Sequence, residues 1–241
     1  MGAQMTFKRY ELKYMLTRAQ KDALLRAMEG HMALDSFGHS TLRSIYLDTD
    51  TFRLIRRSIE KPVYKEKIRV RSYRQAGPDD EVFVELKKKF EKVVYKRRLV
   101  LPHRAAMDAL ESGLPLPAEG QIAREIAQFR AFYGETLKPA MLLSYEREAF
   151  YPTDGVDFRL TLDENILWRT ENIDLGTEAY GQAILGPDDV LMELKTPGGI
   201  PLWMVKFLSD HCIRRRSFSK YGLAYQQLMK QNENGGLCHA C

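Results

Sequence analysis

Tyr64-Lys65-Glu66-Lys67-Ile68-Arg69-Val70-Arg71-Ser72-Tyr73 alternates charge and hydrocarbon at every second residue from Lys67 onward. Successive side chains of a strand point to opposite faces, so Lys67, Arg69 and Arg71 share one face and Ile68 and Val70 the other. The same period recurs outward along the chain. Arg9-Glu11-Lys13, Glu85-Lys87-Lys89, Tyr145-Arg147, Arg159-Asp163 and Glu193-Lys195 form polar faces, against Leu12, Val84/Leu86, Leu142, Phe158/Leu160/Leu162 and Met192/Leu194. An ordinary half-buried strand turns its charge to water. Here the charges are too many, and too often of mixed sign within one strand, for solubility to explain them. The pattern predicts an α+β fold in which the strands close into a β-barrel with a polar, charged lumen and an apolar outer wall covered by surrounding helices. Such a lumen suits a long polyanion and a divalent metal.

At 241 residues one large domain is the expectation, and 44% hydrophobic with 29% charged residues describes a soluble globular chain. No stretch approaches the roughly 18 consecutive apolar residues of a membrane span, and the first residues lack the apolar core of a secretory signal, so a cytoplasmic location is expected. Cys212, Cys238 and Cys241 fit a reducing compartment better than a disulfide framework. Cys238-His239-Ala240-Cys241 follows a polar, glycine-containing segment without a second ligand pair, and residues 231–241 read as a flexible tail. Met1-Gly2 with Thr6 fits a myristoylation pattern short enough to arise by chance, and reads as an extension before Met5. A net charge of +5 and a pI near 9.0 invite phosphate-rich partners. The basic residues lie at strand spacing beside acids, with no basic helix face or recognisable nucleic-acid module, so nucleic acid is not the expected partner.

Along the chain, Thr6 to Met15 reads as a strand and Thr17 as the cap of a helix with the stripe Ala23, Leu24, Ala27 and Met28. His31 to Ser40 reads as turn-rich. Arg43 to Leu47 is a strand, and Asp48 or Asp50 caps a short helix over Thr51 to Ser58. Gly77-Pro78-Asp79-Asp80 breaks a hairpin between the quoted stretch and Val82 to Phe90; Val93 to Leu101 is a further strand ended by Pro102. Two helical patterns occupy 103 to 133. Strands return at Ala140 to Tyr151, Asp157 to Trp168 and Val190 to Lys195, followed by a helix over Pro201 to Asp210 and a terminal helix after Ser217-Phe218-Ser219-Lys220-Tyr221.

Arg69 and Arg71 are spaced to clamp successive phosphate groups bidentately. Glu11-Leu12-Lys13, Glu85-Leu86-Lys87 and Glu193-Leu194-Lys195 each place a carboxylate and an ammonium on one face. One such triplet is explained by a cross-strand salt bridge. Three together favour a site where Glu holds a hard cation such as Mg²⁺ or Mn²⁺ and Lys holds phosphate oxygens. Lys96, Arg97 and Arg98 put charge on both faces of their strand, leaving the register open. Lys220 after Ser219 stands where a helix start offers backbone N–H groups to an anion. The five histidines show no paired spacing, and the Walker spacing is absent.

In these elements the chain resembles the VTC domain, the catalytic module of polyphosphate polymerases within the triphosphate tunnel metalloenzyme superfamily. The resemblance covers about Phe7 to Leu228 and rests on Tyr10-Glu-Leu-Lys-Tyr14, Ile68-Arg-Val-Arg71, Val84-Glu-Leu-Lys87, Tyr145-Glu-Arg147, Arg159 with Leu162-Asp163, Met192-Glu-Leu-Lys195 and Phe218-Ser-Lys-Tyr221. It implies one domain over 6–230 with an eight-stranded antiparallel tunnel. It also implies growth of polyphosphate from ATP with Mn²⁺ or Mg²⁺ and release of ADP. Carried over by position, Lys13, Arg69, Arg71, Lys87, Arg147, Arg159 and Lys220 bind phosphate and Glu193 ligates the metal. Lys96, Lys195 and Ser219 join the phosphate-binding set, Tyr145 sits beside Arg147, and Arg69, Arg71 and Lys220 are the expected catalytic residues. The hydrolytic branch opens with Glu-x-Glu-x-Lys, where this chain has Arg9-Tyr-Glu11-Leu-Lys13, an exchange that argues against a triphosphatase. Ser217 also stands where the pattern has Lys, with Arg214, Arg215 and Arg216 close by to compensate. The rivals are a metal-dependent triphosphatase and a non-catalytic polyphosphate or inositol-phosphate binding module. A membrane partner of the kind the family works beside is expected to be a separate polypeptide.

Overall fold

The computed structural model describes residues 10–91, 93–134 and 137–236. Arg9, the Met1-Gly2 pattern with Thr6, and Cys238-His239-Ala240-Cys241 lie outside them. The elements run β1 (Tyr10–Thr17), α1 (Arg18–Ala27), β2 (Met32–Asp48), α2 (Arg53–Ile59), β3 (Tyr64–Ser72), β4 (Glu81–Phe90), β5 (Val93–Pro102), α3 (His103–Glu111), α4 (Gln121–Tyr133), β6 (Lys138–Pro152), β7 (Arg159–Arg169), β8 (Gln182–Ala183), β9 (Asp189–Thr196), α5 (Leu202–Asp210) and α6 (Lys220–Gly236). This is the expected α+β class with an antiparallel sheet. Its strand path is β1-β9-β7-β6-β2-β3-β4-β5, eight strands to which the two-residue β8 adds a ninth by pairing β7.

The chain divides into two compact units, Met1–Ser40 with Tyr145–Ile166 and Leu185–Phe218, and Thr41–Ser144 with Leu167–Ile184 and Ser219–Cys241. In the first, β9 pairs with both β1 and β7. The even-numbered residues Leu160, Leu162, Val190, Met192 and Leu194 join Leu24 and Met28 at the end of α1 and Met204, Phe207 and Leu208 of α5 in one apolar cluster. Thr17 caps α1 as its sequence predicts: its hydroxyl accepts from Gln20 N at 3.2 Å, while Gln20 Oε1 accepts from Thr17 N at 2.9 Å.

In the second unit β4 pairs with both β3 and β5. Ile68, Val70, Val84 and Leu86 pack with Ala106, Met107 and Leu110 of α3 and Ile126 and Phe129 of α4. Each fully buried side chain of this size is worth about 1.5–3 kcal/mol, and in both units the hydrocarbon lies on the helix-covered face. No helix among the described residues is long and apolar enough to cross a membrane.

Two readings change. The turn-rich segment 31–40 is mostly the start of β2, which runs on unbroken to Asp48. Its turn-like chemistry is real but local: Asp35 Oδ1 accepts from Phe37 N at 3.0 Å, and Gly38 takes φ +58°, a conformation glycine adopts without strain. Residues 231–236, read as the start of a tail, are the last turns of α6.

Candidate functional site

The cross-strand register of the second unit builds a charged face in rows. Lys67, Lys87 and Lys96 stand directly opposite one another on β3, β4 and β5, and the next row is Tyr46, Arg69, Glu85 and Arg98. Arg71 follows, pairing across to Ser44 and Phe83, and its Nε donates to Ser44 Oγ at 3.1 Å. Like charges placed directly opposite repel. A single carboxylate stands among these cations. Glu85 is 1% exposed, and its oxygens take Arg69 Nε and Nη2 at 2.8 and 2.7 Å, Lys96 Nζ at 2.7 Å and Arg98 Nη2 at 2.5 Å. Burial alone would push its carboxyl up, yet Arg69, Arg71 and Lys96 hold it well below the usual range. Glu85 is therefore a fixed counter-charge that aims the cations, and not the metal-holding carboxylate that its triplet suggests. Arg97 points the other way, its Nε meeting Glu125 of α4 at 2.8 Å, which settles the register of Lys96 to Arg98.

Lys220 is the first residue of α6, and Ser219 precedes it. Ser219 Oγ accepts from Lys67 Nζ and from Gly222 N, both at 3.2 Å, so the helix start is tied to β3. Tyr46, which sequence reasoning passed over, is central here. Its hydroxyl accepts from Arg69 Nη1 at 3.0 Å and its ring stacks on Tyr221 at 4.4 Å. Burial would raise its phenol, but Arg69, Arg71 and Lys67 bring it down to about 8. The signal was present in the sequence: Tyr46 alternates with Ile45 and Leu47, which places it on the polar face.

The first unit carries a second charged face. Glu11, Lys195 and Arg159 form one row across β1, β9 and β7, and Lys13, Glu193 and Thr161 the next. Lys13 Nζ lies 3.1 Å from Glu11 and 3.2 Å from Glu193, and also donates to Phe218 O at 3.1 Å. Burial opposes the Lys13 charge, but the two carboxylates outweigh it and raise its pKa. Arg147 grips Asp163 through Nε at 2.5 Å and Nη2 at 2.6 Å, its Nη2 lies 3.9 Å from Glu193, and its guanidinium lies 5.2 Å from the Tyr145 ring. Burial, reinforced by Arg147, lowers the pKa of Lys195. Of the expected site residues, Arg69, Arg71, Lys87 and Lys96 lie on the charged face of one unit, with Ser219 and Lys220 at the start of α6, and Lys13, Tyr145, Arg147, Arg159, Glu193 and Lys195 lie on the charged face of the other.

Among the described residues no three carboxylate, imidazole or thiol groups converge as a metal cage. The donor chemistry nevertheless fits a hard divalent ion of the Mg²⁺ type, which is held by one or two carboxylates with the remaining ligands from water and substrate phosphate. Glu193 and Glu11 are such a pair, bridged by one ammonium.

The helix-backed antiparallel sheet is a fold this chain shares with solved structures of adenylate-cyclase-like proteins. The sequence pattern of the VTC domain matches residues 8–229, and the chain belongs to that family. An adenylate-cyclase-like protein from Bacillus halodurans shares 17% identity and a TM-score of 0.56, over 91% of this chain and 96% of its own. An adenylyl-cyclase-like protein from Hippeastrum, HpAC1, described as having a dominant triphosphatase activity, shares 14% identity and a TM-score of 0.50, over 90% of this chain and 95% of its own. Likeness at this identity concerns the fold. No curated protein matches in sequence.

Proposed function

We propose that the protein is an ATP-dependent polyphosphate polymerase of the cytoplasm that moves the γ-phosphoryl group of ATP onto the terminal oxygen of phosphate or of a growing chain, releasing ADP. The observation that carries this reading is the lysine row Lys67, Lys87 and Lys96 beside Arg69, Arg71 and Arg98, with Glu85 the only carboxylate in those rows. Such a surface offers successive cations to the successive phosphate groups of a polyanion. Arg69, Arg71 and Lys220 bind the oxygens over which charge spreads as the phosphoryl group moves, and Ser219 adds a hydroxyl beside Lys67. The attacking phosphate oxygen is already ionised near neutral pH, so the site needs no general base. Lys13, Arg147, Arg159 and Lys195 bind further phosphate groups on their own face. Mn²⁺ or Mg²⁺, held by Glu193 with Glu11, would supply charge neutralisation when bound. ATP and polyphosphate are the partners this chemistry calls for, and a membrane protein that receives the chain would be a separate polypeptide.

A metal-dependent triphosphatase is the second reading, favoured by the activity ascribed to HpAC1. The test is incubation with γ-labelled ATP and Mn²⁺ or Mg²⁺, resolving long chains on a gel and quantifying orthophosphate. Labelled chains with matching ADP support the polymerase. Orthophosphate without chains makes it a hydrolase, and neither product with tight polyphosphate binding makes it a binding module. Arg71→Ala should slow chain growth by about 10²–10³-fold, and undiminished activity in a folded variant overturns the role of Arg71.

A further inference from the structure

Asp48, the last residue of β2, is fully buried and accepts four hydrogen bonds. Oδ1 takes Thr49 N at 2.9 Å and Leu54 N at 2.8 Å, and Oδ2 takes Ile55 N at 3.0 Å and Tyr221 Oη at 2.9 Å. Two of these, from Leu54 and Ile55, satisfy backbone donors in the first turn of α2, where Phe52 offers no side-chain cap. The fourth reaches α6. Tyr221 is itself buried, and its hydroxyl stays a donor because burial and the adjacent Asp48 charge raise its pKa well above the ordinary value. Its ring stacks on Tyr46, whose hydroxyl receives Arg69. One continuous set of contacts thus joins a buried carboxylate to the first turn of α6 and to an arginine of the charged face.

We propose that Tyr221 is a positioning residue whose hydrogen bond to Asp48 and stack on Tyr46 fix Ser219 and Lys220 in register with Lys67 and Arg69. This rests on the phosphate-binding reading of that face. Lys220 and Ser219 are the two residues before Tyr221, so a shift of the tyrosine carries both with it. The side chain of Ser219 already meets Lys67 at the limit of an ordinary hydrogen bond, 3.2 Å. A displacement of about 1 Å at a reacting group costs on the order of 10²-fold in rate.

The experiment compares wild type, Tyr221→Phe and Phe129→Leu, the last a core change in α4 outside the charged face, all below their Tm. Tripolyphosphate binding and the kcat and KM of γ-phosphoryl release or transfer from ATP are measured. Tyr221→Phe should lose about 10²-fold in kcat and bind tripolyphosphate about tenfold more weakly, while Phe129→Leu keeps wild-type values at a similar drop in Tm. If Tyr221→Phe fails to fold, Tyr46→Leu, which removes the ring that Tyr221 stacks on and leaves its hydrogen bond to Asp48, should show a loss in the same direction. Wild-type kinetics and binding in Tyr221→Phe, or an equal loss in Phe129→Leu, overturns the positioning role. A wild-type protein that neither binds tripolyphosphate nor acts on ATP overturns the functional reading beneath it.

Discussion

Tyr46 is 8% exposed, faces Arg69, Arg71 and Lys67 from β3 and stacks on Tyr221 of α6. Its phenol ionises near 8 in the folded protein, against 10.0 ordinarily. Between those values the folded chain has released a proton that the unfolded chain still holds, so stability from this group is absent below about pH 8, grows with pH and is complete above about 10. The same ionisation places a phenolate on Arg69, where a phosphate would otherwise bind. Tripolyphosphate affinity should therefore fall as pH passes about 8 in wild type and change little there in Tyr46→Phe. Calorimetric titration on both sides of that pH checks this; parallel profiles would refute it. Asp163, fully buried under the two-pronged grip of Arg147, predicts a larger effect. Asp163→Ala should cost about 3–5 kcal/mol in urea unfolding near neutral pH, because the buried guanidinium loses its two-pronged partner and keeps only the longer ion pair with Glu193.

The row Lys67, Lys87 and Lys96 belongs to three strands at once. Lys87→Glu would reverse the charge at the centre of this row. The expected outcome is a folded protein that binds polyphosphate less well, read by titration, and unchanged affinity would remove the row from the binding surface. Strands of this kind were legible from sequence because the period of two separates Arg69 and Arg71 from Ile68 and Val70 without help from tertiary structure. The opening of β2 was not, since Asp35 and Gly38 carry turn chemistry inside a strand. Glu85 shows a different limit. Its triplet has the composition of a metal site, and only the strand register brings Arg69, Lys96 and Arg98 onto its oxygens.

Net charge of +5 on a chain with two cationic faces predicts binding that salt weakens. Because the Debye length contracts from about 10 Å at 0.1 M to about 3 Å at 1 M, polyphosphate affinity should fall steadily over that range. Competition titrations at several salt concentrations measure it, and a flat response would point to recognition by shape. The charged faces and the helix-covered hydrocarbon were both written in the alternation of the sequence. The division into two units was not, because the first unit gathers three separated segments and β2, β6 and β7 each contribute to both.

Glu85 gives the cations around it an orientation that no ligand has to induce. For a polymer of identical anionic repeats, a scaffold fixed in this way distinguishes poorly between one repeat and the next. Advancing the chain by one phosphate would then exchange each contact for an equivalent one. On the proposed function, the buried carboxylate makes the grip firm in space but nearly degenerate in register, the condition under which a held polymer can slide without first letting go.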